Sequence, residues 1–182
     1  ACLLGGFTLA WTDGGAARAL RMAPAASLVP VVFVPAQPLL TQTARGLLPR
    51  TVPHVDAAFN AGRAALLVEA MTRRPELLLA ATEDRLHQEY RAPAMTESAD
   101  LVGRLRGEGV PAVISGAGPT VLALASDEGK ADKVSRLAGE GWTANRLALD
   151  LDGASVLPLS AGARSGADEA GDAPGGTDSG SR

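Results

Sequence analysis

Two arginines and one glycine-rich turn are the parts of this chain whose residue types and settings could do chemistry. Arg45 closes the run Thr41-Gln42-Thr43-Ala44-Arg45, where a guanidinium beside a threonine hydroxyl could hold a carboxylate through paired hydrogen bonds. Arg91 follows Tyr90 and precedes Pro93, a place where a helix gives way to a turn and can fix an arginine's direction. For both, the competing reading is a solvated arginine in a surface salt bridge. His87 stands four residues before Arg91 and would share its face on a continuous helix. A single histidine in such a place is more often a buried, hydrogen-bonded residue than a catalyst. The third feature is Ser115-Gly116-Ala117-Gly118-Pro119-Thr120. Gly116 and Gly118 remove Cβ atoms where a backbone must bend or let something approach, and exposed amides with the Ser115 and Thr120 hydroxyls can face an anion. A tight connection between two core strands would explain the same glycines without a ligand.

The elements that must position these residues are legible from periodicity. Short aliphatic runs, Ala112–Ile114 and Val121–Leu124, flank the glycine turn and read as buried strands. Upstream, Phe7–Trp11 and Ala16–Met22 read as a hairpin joined through Asp13-Gly14-Gly15, and Leu28–Val34 as a third, mostly buried strand whose prolines suit its ends or an edge. A short helix over Thr41–Leu48 stops before Pro49. A longer one runs from about Pro53 to Arg73 with Val55, Phe59, Leu66, Leu67 and Ala70 on one side. Pro75 opens another helix, Glu76 to about Gln88. Thr96 is suited to cap the next, in which Leu101, Val102 and Leu105 face inward. Asp127–Gly139 reads as a helix and Trp142–Leu149 as a strand. The order of elements predicts an α+β fold, an antiparallel sheet with helices packed on one face, of ferredoxin-like character. Residues 160–182 turn to Gly, Ala, Ser and Asp with no apolar period, the composition of a disordered tail.

Composition narrows the function classes. With 182 residues and 46% hydrophobic content, the chain can build one domain with a real core. One cysteine and two histidines leave no disulfide framework and no Cys- or His-rich metal site, and fit a reducing, cytoplasmic compartment. A net charge of -3 and 3% aromatic content argue against a nucleic-acid surface. The most apolar run, Leu28–Leu40, is interrupted by Pro30, Pro35 and Pro38 and is no membrane span. The first residue is Ala1 and Ala1–Gly6 opens without a helix-start signal, which predicts a piece of a longer protein or, alternatively, a chain from which processing removed a segment.

Taken in order, four stretches resemble the homoserine kinases of the galactokinase, homoserine kinase, mevalonate kinase and phosphomevalonate kinase superfamily. Ala1-Cys2-Leu3-Leu4-Gly5-Gly6-Phe7 is similar to the end of the helix and the strand that follow the family's Gly-His-Pro-Asp-Asn motif. Thr41–Arg45 resembles its Thr-x-x-Ala-Arg segment, Leu86-His87-Gln88-Glu89-Tyr90-Arg91 its His-x-x-Tyr-Arg segment, and Ser115–Thr120 the third superfamily motif. The likeness covers Ala1 to about Leu159. It implies phosphoryl transfer from ATP, with Mg2+, to the side-chain hydroxyl of L-homoserine in threonine biosynthesis. Arg45 and Arg91 would then grip the amino-acid carboxylate, Thr41 and Asn60 would lie beside the substrate, and Ser115, Gly116, Gly118 and Thr120 would support the phosphate loop. Thr96 departs from a position where relatives often carry proline. No Gly-Leu-Gly-Ser-Ser loop occurs here, so the resemblance places the phosphate loop, the metal ligand and any catalytic residue outside these 182 residues, with no metal ligand within them. It also implies a division into 1–34, a remnant of the N-terminal kinase domain, 35–159, the C-terminal α+β substrate domain, and the tail 160–182. A homodimer is left open, and the chain alone is expected to be inactive. Two alternatives stand beside this reading: a stand-alone ferredoxin-like module that senses an amino acid through the arginines, and a superfamily kinase for another small alcohol.

Overall fold

The computed structural model describes residues 3–36, 44 and 46–156. Phe7–Asp13 (β1) and Ala16–Met22 (β2) pair antiparallel from Phe7↔Met22 to Asp13↔Ala16. The two loop residues Gly14 and Gly15 both take positive φ, 55° and 83°, the mirror-image turn that follows the twist of a hairpin and that side chains resist. The root of the hairpin is tied to the 150s: Gly6 N donates to the Asp150 carbonyl, and the Arg21 guanidinium to the carbonyls of Leu4 and Leu151.

Val29–Pro35 (β3), Ala112–Ile114 (β4), Val121–Ala125 (β5) and Trp142–Arg146 (β6) form one antiparallel sheet in the order β4-β5-β3-β6. β3 is therefore central and not an edge; its prolines lie near its ends, as one of the two expectations had it. The sheet tolerates them because the N side of Pro30 faces the β6 flank beyond the last paired residue, Arg146, where the Pro30 carbonyl takes its bond from Leu147 N. Pro35 sits at the other end, opposite Trp142. The four-stranded sheet begins in the chain at Val29, because β3 supplies ladder bonds to both β5 and β6.

Strand alternation divides the core in two. On one face Val31, Phe33, Val121 and Ala123 pack with Leu101 and Leu105 of the helix Thr96–Gly107 and with Ala131 and Val134 of the helix Glu128–Ser135. Leu122 and Leu124 alternate away from that layer and meet Leu66, Leu67 and Ala70 of the long helix His54–Thr72. We label these helices α1 (His54–Thr72), α2 (Thr96–Gly107) and α3 (Glu128–Ser135). The architecture is the expected α+β class. No helix among the described residues is long and apolar enough to cross a membrane.

Local expectations need four corrections. Val55 is 65% exposed, and Phe59 lies under the guanidinium groups of Arg63 and Arg85, 4.4 and 3.8 Å from its centroid, so the N-terminal half of α1 serves polar stacking rather than the core. The helix expected from Glu76 to Gln88 is broken: a 3-10 turn at Pro75–Leu77 and one helical turn at Leu78–Ala81 give way to bends, and a separate turn forms at Gln88–Arg91. Thr96 is the first residue of α2 and caps nothing; Met95 holds the cap position. Leu137 is 38% exposed beyond the end of α3, which stops at Ser135. Most of the expected helix Thr41–Leu48 and the tail 160–182 lie outside the described residues.

Candidate functional site

Beneath α1, on the Leu122 and Leu124 side of the sheet, a cavity of about 650 Å³ opens between Asn60, His87, Arg91 and Gly116. Three residues singled out in the sequence, Asn60, Arg91 and Gly116, are thereby brought to one place. Thr41 and Arg45 lie outside the described residues.

Arg91 is the last residue of the helical turn Gln88–Arg91 and is only 9% exposed. Its Nε donates to the Ala44 carbonyl at 3.3 Å and one Nη to the Gly116 carbonyl at 3.1 Å. No carboxylate pairs with it among the described residues, so the surface salt bridge is not its role there. Two carbonyls aim the guanidinium, and its fork lines the cavity, where its other donors can meet an anionic group. The cost of taking this charge from water is offset only by such bonds.

The Gly116 wall is rigidly built. Ser115 N donates to the Thr120 carbonyl at 2.8 Å, and Gly118 N to the Ser115 carbonyl at 3.0 Å. Ser98 Oγ, 2% exposed, donates to the Pro119 carbonyl at 2.6 Å, and Ile114 N donates to Gln88 Oε1 at 2.8 Å. Gly116 and Gly118 both have positive φ, 60° and 82°, but for different surroundings. A Cβ on Gly116 would meet nothing within 4 Å. One on Gly118 would lie 2.7 Å from Met95 Sδ and 2.9 Å from Ile114 Cγ2. Added bulk at Gly118 therefore meets Met95 and Ile114.

The sequence reading passed over Asp84, which organises the opposite wall. Its Oδ1 receives Asn60 Nδ2 at 2.8 Å, the Leu86 amide at 3.3 Å and His87 Nδ1 at 3.0 Å. Its Oδ2 receives the amides of His87 and Gln88 at 2.8 and 2.7 Å. Burial pushes this carboxyl up, but the Gln88 amide, the His87 ring, the Asn60 amide and the His87 amide together hold it down at about 2, against an ordinary 3.8. Asn60 spends its amide on the same loop, since its Oδ1 also accepts from Arg85 N at 2.8 Å. His87 is half exposed at the cavity, not the buried histidine expected. Asp84 stands three and four residues before the amides it receives; aspartate favours such local side-chain-to-backbone bonds in turns, a signal that the reading of one long helix hid. Arg106 was also missed: it joins the Leu78–Ala81 turn to β4 through Thr82 Oγ1 and the carbonyls of Leu79 and Ala112.

The described residues contain no group of three His, Cys, Asp or Glu side chains arranged to hold a metal ion.

Residues 56–142, which include both walls of the cavity, match the family model described as GHMP kinases C terminal. These residues form a GHMP kinase C-terminal domain. Relatives of the chain include the homoserine kinase of Streptomyces avermitilis, 80% identical over 161 residues, which are 88% of this chain and 52% of that relative. The homoserine kinase of Clavibacter michiganensis is 48% identical over 88% of this chain and 52% of its own length. The chain thus spans about half the length of the curated relatives it matches. In fold, the chain resembles the crystal structure of homoserine kinase from Cytophaga hutchinsonii, with a TM-score of 0.76 at 21% identity over 84% of this chain and 51% of that one.

Proposed function

We propose that the chain supplies the acceptor side of a homoserine kinase, transferring a phosphoryl group from ATP to the side-chain hydroxyl of L-homoserine in threonine biosynthesis, in the cytoplasm. The observation that carries this reading is the 80% identity over 161 residues to a protein of that name. The cavity is consistent with it: a buried, carbonyl-aimed Arg91 suits one end of a small zwitterion. In this reading Arg91 and Arg45 hold the carboxylate, Thr41 lies beside the substrate, and Asn60 shapes the loop around it. The turn Ser115–Thr120, with Gly116 and Gly118, backs the phosphate side. In this reading the phosphate-cradling loop and the Mg2+ on which transfer depends are supplied by the rest of such a kinase.

The test is homoserine-dependent ADP formation by a kinase of the relatives' length that carries these 182 residues, with mevalonate and galactose as competing acceptors. Homoserine should be used at a kcat/KM at least about a hundredfold above either; for galactose, which has no carboxylate, losing the paired carboxylate bonds would supply that margin, and for mevalonate the missing α-amino group and longer carbon chain set it. Equal or better use of another alcohol would refute the assignment.

A further inference from the structure

Arg91 ends a helical turn of four residues, Gln88–Arg91, too short to form by itself. What starts that turn is Asp84. Its carboxylate receives the amides of Leu86, His87 and Gln88, and the Arg91 amide in turn donates to the His87 carbonyl at 3.2 Å. Asn60, on α1, anchors the Asp84 carboxylate and the Arg85 amide together. The direction of the Arg91 side chain, and with it the 3.1 Å bond to Gly116, is inherited from a carboxylate seven residues upstream. Gln88, the first residue of the turn, is fixed to β4 through Ile114 N.

We infer that Asp84 is a positioning residue that aims the Arg91 guanidinium, so that preference for a carboxylate-bearing acceptor is controlled from Asp84 without its touching the acceptor. The inference rests on the proposal that Arg91 holds the substrate carboxylate. Aspartate suits this place because five donors converge on two oxygens. Asparagine would offer one acceptor oxygen and set an NH2 against donors.

Two measurements on the kinase of the relatives' length test it, with Asp84→Ala and Asp84→Asn. Asp84→Asn keeps the side-chain shape and serves where the alanine variant does not fold. The first measurement is discrimination between homoserine and homoserinol, which lacks the carboxylate. Either variant should lower kcat/KM for homoserine by roughly ten- to a hundredfold, mainly through KM, and for homoserinol by much less, with KM for ATP unchanged. The second is solvent exchange of the Arg91 Nε–H by NMR, which should accelerate at least about tenfold in either variant whatever the acceptor. Equal losses for homoserine and homoserinol, or unchanged exchange at Arg91, would overturn the inference. A wild-type enzyme that ignores homoserine while exchange still accelerates would leave Asp84 as the positioning residue and refute the kinase reading instead.

Discussion

The guanidinium of Arg91 and the carbonyl of Gly116 meet across 3.1 Å, joining a helical turn on one wall of the cavity to the glycine turn on the other. Both partners are immobilised from behind, Arg91 through the Asp84 network and Gly116 through the Ser115 to Thr120 bond. A cation held in this way meets a ligand without reorganising, which is what gives a charge-assisted bond its selectivity.

The two glycines of the turn should separate in stability. Gly116→Ala adds a Cβ in open space, so only the cost of positive φ remains, about 1 kcal/mol. Gly118→Ala adds that cost to overlap with Met95 and Ile114, and should lose at least about 2 kcal/mol. Urea denaturation of the two variants checks this, and equal midpoints would contradict the packing role of Gly118.

Asp84 should shape the acid limb of stability. Because its folded pKa is lowered, its contribution is present above 3.8 and lost as pH falls toward about 2. At neutral pH the contribution is about 2 kcal/mol. The stability gap between wild type and Asp84→Asn, measured by denaturation at stepped pH, should be constant above pH 4 or so and narrow below it. A gap that keeps its size down to the acid transition would show that Asp84 is not held ionised by its donors.

Asn60→Asp replaces the Nδ2 donor with an oxygen 2.8 Å from Asp84 Oδ1. Two carboxylates at that separation raise the pKa of the pair, so the folded state binds more protons than the unfolded one and stability falls as pH rises. The variant should lose about 1 to 3 kcal/mol at pH 7 and recover part of it by about pH 4. Thermal melts at the two values check the sign; a loss independent of pH would mean that the side chains move apart.

Much of the fold was legible because its signals are local. The glycines at 14 and 15 declare the hairpin, and the aliphatic runs around Ser115–Thr120 declare β4 and β5. The central place of β3 was not, since its two prolines suit either the ends of a strand or an edge, and only the ladders on both sides decide between them. Arg91 stood out in residue type and setting, but its partners, the carbonyls of Ala44 and Gly116, are 47 and 25 residues away in sequence. Asp84 was hidden for a different reason. Leu78, Leu79, Thr82 and Leu86 keep a helical period across the break, and periodicity alone does not reveal that a carboxylate has captured the amides the helix would need.

The most direct test of the cavity as an amino-acid site is the acceptor kinetics of Arg91→Lys in the kinase of the relatives' length. Lysine keeps the charge and loses the planar fork, so kcat/KM for homoserine should fall roughly ten- to a hundredfold, carried mainly by KM, while homoserinol and ATP are affected far less. Homoserine kinetics within about twofold of wild type, or equal losses for homoserine and homoserinol, would contradict the assignment of Arg91 to the substrate carboxylate.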